Sequence, residues 1–242
     1  MIDAIIVAAG SGKRMNHDKN KQFIVLKNKP LLILTLEKFY RNKSINNIYL
    51  VIKKEEEDYV NNLLDSFKIR NIRLVYGGRE RQDSVYNCIE EIKKHSLISY
   101  ADKSNNEKIQ AYSNHFVLIH DGARPFVSNE IIEDTIREVK SHNAVCVCVP
   151  SKDTIKIIGE DNIILSTPDR KQAWMAQTPQ AFRFDILYSA YKNSYDNNFT
   201  GTDDSSIVEN YGVKVKIIQG SYDNIKITTP EDLKFAESIL DR

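Results

Sequence analysis

Only three cysteines occur in the 242 residues, Cys88, Cys146 and Cys148. They fit neither a disulfide framework nor a zinc site built of paired CxxC knuckles. Cys146 and Cys148 alternate within "AVCVCVP", so both face one side of an apolar strand, as core packing asks. An excess of one charge is missing too: 34 Lys and Arg against 33 Asp and Glu leave +1. Nucleic-acid proteins show a basic surplus, so that class is disfavoured. No apolar run approaches the ~20 residues needed to span a bilayer. The first residues form a strand-like run with neither a basic n-region nor a long apolar h-region. The expectation is a cytoplasmic protein with no membrane or nucleic-acid partner. No Ser–His–Asp set and no carboxylate pair stands out, and His17, His95, His115 and His142 form no ligand spacing.

What remains is ordinary globular material. A hydrophobic fraction of 41% at this length supports a sizeable core. "IDAIIVAA" is apolar without alternation, as in a strand buried on both faces. "PLLILTLEKFYRN" reads as a helix with Pro30 near its first turn. "NIYLVIKK", "IRLVY", "HFVLIH" and "AVCVCV" read as further strands, with helical patterns between them. The rhythm predicts an α/β, doubly wound, mainly parallel sheet in one domain over 1–242. The polar stretch from Ser96 to Asn114 lacks periodicity and reads as a surface loop. In "KDTIKIIGEDNIILSTPDR", Ile155 and Ile157 precede a turn and Ile163 and Leu165 come after it. That is a β-hairpin arm, within 151–174, which needs something to pack on. "TTPEDLKFAESIL" starts a helix with Thr229 as N-cap, Pro230 at N1 and Asp232 at N3.

The chemistry points to loops at the strand ends. "VAAGSGKRMNHDKNKQF" lacks the third glycine of the dinucleotide fingerprint, since Met15 stands there, and no GxxxxGK[ST] string exists. Gly10 and Gly12 still let backbone N–H groups converge on an anion. Arg14 and Lys21 are long cations that can close over a triphosphate. Such a loop after the first strand of an open parallel sheet lies where ligands bind. "GGRERQDSV" offers Gly77, Gly78 and Ser84, the last at a helix start. "HDGARPF" presents Asp121 and Arg124 at the same edge, with His120 read as a packed residue. Asp121 there suits a sugar hydroxyl, a magnesium ion or simply a cap.

Seven strings occur in one order: "AAGSGKRM…KQF", "GGRERQDSV", "HDGARPF", "KDTIK", "TPDRKQAWMAQTPQAF", "TDDSSIVE" and "DNIKITTPEDL". In this the chain resembles the 2-C-methyl-D-erythritol 4-phosphate cytidylyltransferases of the non-mevalonate isoprenoid pathway, along essentially its whole length. Ribitol-5-phosphate cytidylyltransferases are the nearest alternative, with AGG and HDSVRP where this chain has "AAG" and "HDGARP". A catalytically silent nucleotide or sugar-phosphate sensor on the same fold is a second alternative. The resemblance implies a Rossmann-like nucleotidyltransferase fold, Mg²⁺, CTP and a sugar-alcohol phosphate as substrates, and a homodimer. It implies Ala8, Ala9, Gly10 and Gly12 along the nucleotide, with Arg14 and Lys21 on the triphosphate. Gly78 and Ser84 would meet the cytosine, Asp121 the ribose and metal region, and Lys226 the α-phosphate. Thr178 and Thr202 would hold the acceptor, with Arg124 nearby. Thr154 and Arg170, on the arm, would reach the acceptor in a neighbouring subunit. Two departures stand out: Asn20 where the family often has Pro, and a longer polar stretch before His115.

Overall fold

β1 (Ile2–Val7) packs Ile2, Ala4 and Ile6 to one side and Ile5 to the other. A strand apolar on both faces belongs in the middle of a covered sheet. The computed structural model describes residues 1–10, 20–99 and 114–241, with backbone alone for 96–99. It sets β1 between β4 (Asn47–Ile52) and β6 (Phe116–Asp121), parallel to both. Among the described residues the sheet has seven strands: β11 (Lys216–Gln219), β7 (Ala144–Pro150), β10 (Trp174–Arg183), β6, β1, β4 and β5 (Ile72–Tyr76) in that order. All neighbours run parallel except those of β10, which is antiparallel to β6 and β7. A short antiparallel pair, β2 (Val25–Leu26) and β3 (Lys29–Pro30), stands apart.

Helices cover both faces, as the strand–helix rhythm predicts. α1 (Leu31–Tyr40), α2 (Glu57–Ser66) and α4 (Asn129–His142) bury Leu36, Leu64 and Ile136 against one face. α3 (Arg81–Ser99), α5 (Phe184–Asp196) and α6 (Asp204–Asn210) bury Ile89, Leu187 and Val208 against the other. α7 (Pro230–Leu240) packs Ala236 with Leu26, Leu31 and Ile227. Its start is the one read from sequence: Thr229 accepts from the Asp232 N–H, and Pro230 begins the helix.

Several boundaries differ from those the sequence predicts, each for a local reason. α3 begins at Arg81, so Ser84 lies at the helix start, inside the first turn rather than ahead of it. The Asp83 carboxylate accepts from the Glu80 N–H at 3.0 Å and so anchors the start earlier. α3 also runs on to Ser99, into the stretch read as loop. The rest of that stretch, 100–113, lies outside the described residues. β10 and β11 have no counterpart among the predicted strands. In β10, Pro179 interrupts the pattern, and the ladder shifts register between Ala176 and Gln180 around a cis Thr178–Pro179 bond. β11 is four residues long.

The hairpin is present as β8 (Ile157–Ile158) and β9 (Ile164–Ser166), antiparallel with a register shift. Its turn holds Asp161 and Asn162 at φ 61° and 58°, a region that short polar side chains tolerate. Ile157, Ile158, Ile163, Ile164 and Leu165 are 46–67% exposed. Among the described residues of this chain nothing buries them.

Candidate active site

After β1 the chain builds β4 and β5 on one side, then returns to place β6 on the other. The sheet order therefore reverses at β1, and a crevice opens beyond the carboxyl ends of β1 and β6. Val7 and Asp121 end those strands in register. The Gly122 N–H donates to the Val7 carbonyl at 2.9 Å. A Cβ on Gly122 would lie 3.1 Å from that oxygen and 3.2 Å from the Ala8 Cβ. Glycine lets the two loops touch. The cavity above them measures about 550 Å³, the size of a small-molecule site.

Its lining is cationic. Lys21, Lys53, Lys54, Arg79, Arg81 and Lys226 stand against Glu55, Glu80 and Asp121. Among the described residues these are six cations to three acids, in a chain whose net charge is +1, and they mark a site for a polyanion. Lys21 sits on a short 3₁₀ turn, Lys21–Phe23, beside the end of β1. The buried Gln22 fixes that turn by donating to the Ala8 carbonyl. Asn20, where the resembling family often has Pro, adopts φ −55°. Proline imposes nearly that value, so the departure keeps the turn's backbone.

Asp121 is the hub. Its carboxylate lies 3.0 Å from Lys226 Nζ, 3.3 Å from Arg124 Nε and 3.6 Å from Arg81 Nε. Burial pushes its pKa up, but Lys226, Arg81 and Arg124 outweigh that and hold it well below the usual carboxylate range. Arg124 also donates to the Asn224 carbonyl at 2.8 Å, and the Ile227 N–H to the Ala123 carbonyl at 2.9 Å. The two loops carrying Asp121 and Lys226 are thus stitched together. His120 is packed, as read from sequence: it is buried, lies against Phe39, and bonds the Arg124 carbonyl through Nε2 at 3.0 Å. A carbonyl only accepts, so Nε2 carries the hydrogen and Nδ1 is bare. Burial lowers the His120 pKa to about 4.

A further ion pair secures Arg81 from the other side. Arg81 donates to both carboxylate oxygens of the fully buried Asp204, at 3.0 and 2.6 Å. Tyr191 adds a bond to Asp204 at 2.5 Å. Burial opposes the charge on Arg81, but Asp204 and Asp121 more than offset it and raise its pKa. Both residues stand inside "GGRERQDSV" and "TDDSSIVE", yet no local signal pairs them across 123 positions.

Of the residues singled out from sequence, Ala8, Ala9, Gly10, Lys21, Gly78, Ser84, Asp121 and Lys226 line this same cavity. Ser84 Oγ accepts from the Gly78 N–H at 3.0 Å, which binds the loop back on its own helix. Thr178 is buried and accepts from the Asp121 N–H at 3.0 Å. Thr202 is exposed just before α6. Thr154 and Arg170 are exposed on the arm and lie outside the cavity lining. Gly12 and Arg14 fall outside the described residues. Cys146 and Cys148 face one way in the core, sulfur to sulfur at 3.6 Å. Among the described residues no cluster of three or more His, Cys, Asp or Glu suits a metal, and no helix is long and apolar enough to cross a membrane.

Comparison with known proteins gives one answer at each level. A family model described as "IspD: 2-C-methyl-D-erythritol 4-phosphate cytidylyltransferase" matches residues 2–101 and 99–242. The protein of that name from Clostridioides difficile strain 630 is 48% identical over 241 residues, covering 99% of this chain and 94% of its own. One from Clostridium novyi strain NT is 45% identical over 240 residues, covering 98% and 96%. Among solved structures, the 4-diphosphocytidyl-2C-methyl-D-erythritol synthase of Anaerococcus prevotii superposes with a TM-score of 0.81 at 37% identity, covering 100% of this chain and 96% of that one. The Francisella tularensis cytidylyltransferase gives 0.77 at 33% identity, with 98% of each chain covered.

Proposed function

This chain belongs to the 2-C-methyl-D-erythritol 4-phosphate cytidylyltransferase family, and from that premise we propose how its own residues carry the reaction. The chain transfers a cytidylyl group from CTP to 2-C-methyl-D-erythritol 4-phosphate, for isoprenoid precursor synthesis. An oxygen of the acceptor's phosphate attacks the α-phosphorus, and the bond to the β-phosphate breaks. The products are 4-diphosphocytidyl-2-C-methyl-D-erythritol and pyrophosphate. A phosphate monoester has a second pKa near ~6, so the nucleophile is already largely ionised at neutral pH. No general base is required. The task is electrostatic: two anions must meet, and charge builds on the phosphoryl oxygens and the leaving group.

The observation that carries this reading is the cationic cavity at the switch point of a nearly neutral chain. Lys21 and Lys226, with Arg14, neutralise the triphosphate and the charge that develops. Ala8, Ala9, Gly10 and Gly12 line the nucleotide, and Gly78 and Ser84 meet the cytosine. Asp121 lies at the ribose and metal region. Thr178, Thr202 and Arg124 form the acceptor side. Magnesium fits this donor set: one carboxylate, Asp121, beside a triphosphate is the usual way proteins hold that ion. When bound it neutralises phosphate charge. The protein is a homodimer in which Thr154 and Arg170 of the partner subunit complete the acceptor site, a reading supported by the uncovered apolar arm. It works in the cytoplasm, since a triphosphate does not cross a bilayer unaided.

A substrate panel tests the reading through pyrophosphate release. Methylerythritol 4-phosphate with CTP and Mg²⁺ should turn over, with UTP and ATP poor. Preference for ribitol 5-phosphate would move the chain to the neighbouring family, and silence with every acceptor would favour a sensor.

A further inference from the structure

The first turn of α3 reaches in two directions. On one side Ser84 holds Gly78, at the end assigned to the nucleotide. On the other, Arg81 and Gln82 grip the segment that leads into α6. Gln82 accepts from the Gly201 N–H at 3.1 Å and donates to the Phe199 carbonyl at 3.2 Å and to Ser194 Oγ at 3.1 Å. Arg81 takes both oxygens of Asp204 while its Nε faces Asp121 at 3.6 Å. Thr202, exposed, lies between these two anchor points.

We propose that Arg81 and Gln82 are positioning residues which hold the acceptor-side segment 199–204 to the nucleotide side of the cavity. The inference rests on the functional reading above and assigns it two residues that act through the segment they hold. A buried carboxylate such as Asp204 needs a compensating cation. Arg81 supplies it in a bidentate fork and leaves Nε toward Asp121. Its charge is therefore committed to two carboxylates and is not free for the triphosphate, although it lines the same cavity. Gln82 is neutral and makes all three of these side-chain bonds to 194–201. Its loss would release that segment without altering the charge of the cavity. The two neighbours thus divide one job: Gln82 fixes the chain just before Thr202, and Arg81 fixes the start of α6 just beyond it.

Steady-state kinetics with each substrate varied in turn, plus calorimetric titration of CTP alone, separate this from a plain folding role. Gln82→Ala should raise the KM for methylerythritol phosphate about tenfold, while CTP affinity stays within about twofold. Arg81→Lys should lower kcat and raise the acceptor KM together, because an ammonium reaches one carboxylate and not two. If Arg81→Lys does not fold, Gln82→Ala decides alone. An acceptor KM within about twofold of wild type for Gln82→Ala overturns the proposal. So does an equal loss of CTP affinity, which would make the turn a nucleotide element only. Wild-type protein inactive with this acceptor would sink the functional reading first, before any variant is compared.

Discussion

At the scale of single residues, His120 separates packing from chemistry. It touches the Arg124 carbonyl and Phe39, and burial holds its pKa near 4 against an ordinary 6.5. The unfolded chain therefore binds a proton between those values that the folded chain refuses. The contribution of His120 to stability is fully present above about pH 6.5 and falls as pH drops toward 4, by about 3 kcal/mol. Asp121 acts elsewhere on the scale. Its depressed pKa means its contribution is present above the ordinary carboxylate range and is lost only as pH falls below about 4. Urea midpoints measured from about pH 7.5 to about 4.5 should slope steeply in the wild type. In His120→Gln, whose amide keeps a donor without titrating, the slope should be clearly flatter. Parallel slopes would show that other groups set the acid limit.

Among elements, α7 gives the cleanest energetic test, because its cap is complete. Thr229 accepts from the Asp232 N–H, while the Asp232 carboxylate accepts from both Thr228 N–H and Oγ1 and from the Thr229 N–H, at 2.8–2.9 Å. Thr229→Ala should cost about 1 kcal/mol in guanidinium unfolding, and Asp232→Ala more, since three bonds go at once. Activity should stay within about twofold in Thr229→Ala, because the Ile227–Ala123 bond still pins the segment with Lys226. This cap was legible because all its parts are local: Thr, Pro and Asp at fixed offsets. The buried central strands were legible for the same kind of reason, and with them the cavity wall from Ala8 to Gly10. The features that escaped prediction are non-local or irregular. β10 carries a proline and a register shift, and the start of α3 depends on one carboxylate. The Arg81–Asp204 pair joins two motifs that only the tertiary fold brings together.

For the whole molecule the question is what covers the arm. Ile163 and Leu165 are 63% and 67% exposed, and Trp174 and Met175 at its base are also exposed. A cluster of that kind on an isolated hairpin marks an interaction surface, and a two-stranded hairpin is marginal by itself. Arg170 on the same arm does not line its own chain's cavity. Both facts are met if two copies exchange arms across a two-fold axis and each completes the other's site. Mixing two inactive variants, Lys21→Ala and Arg170→Ala, under conditions of subunit exchange makes this quantitative. With shared sites, each heterodimer has one site bearing both defects and one bearing neither, so activity should return. With full exchange, half the dimers are hetero and half of their sites are intact, giving about a quarter of wild-type activity per site. If each chain builds its own site, every site keeps one defect. No recovery, with exchange demonstrated by differently tagged chains, would leave the arm a structural element only.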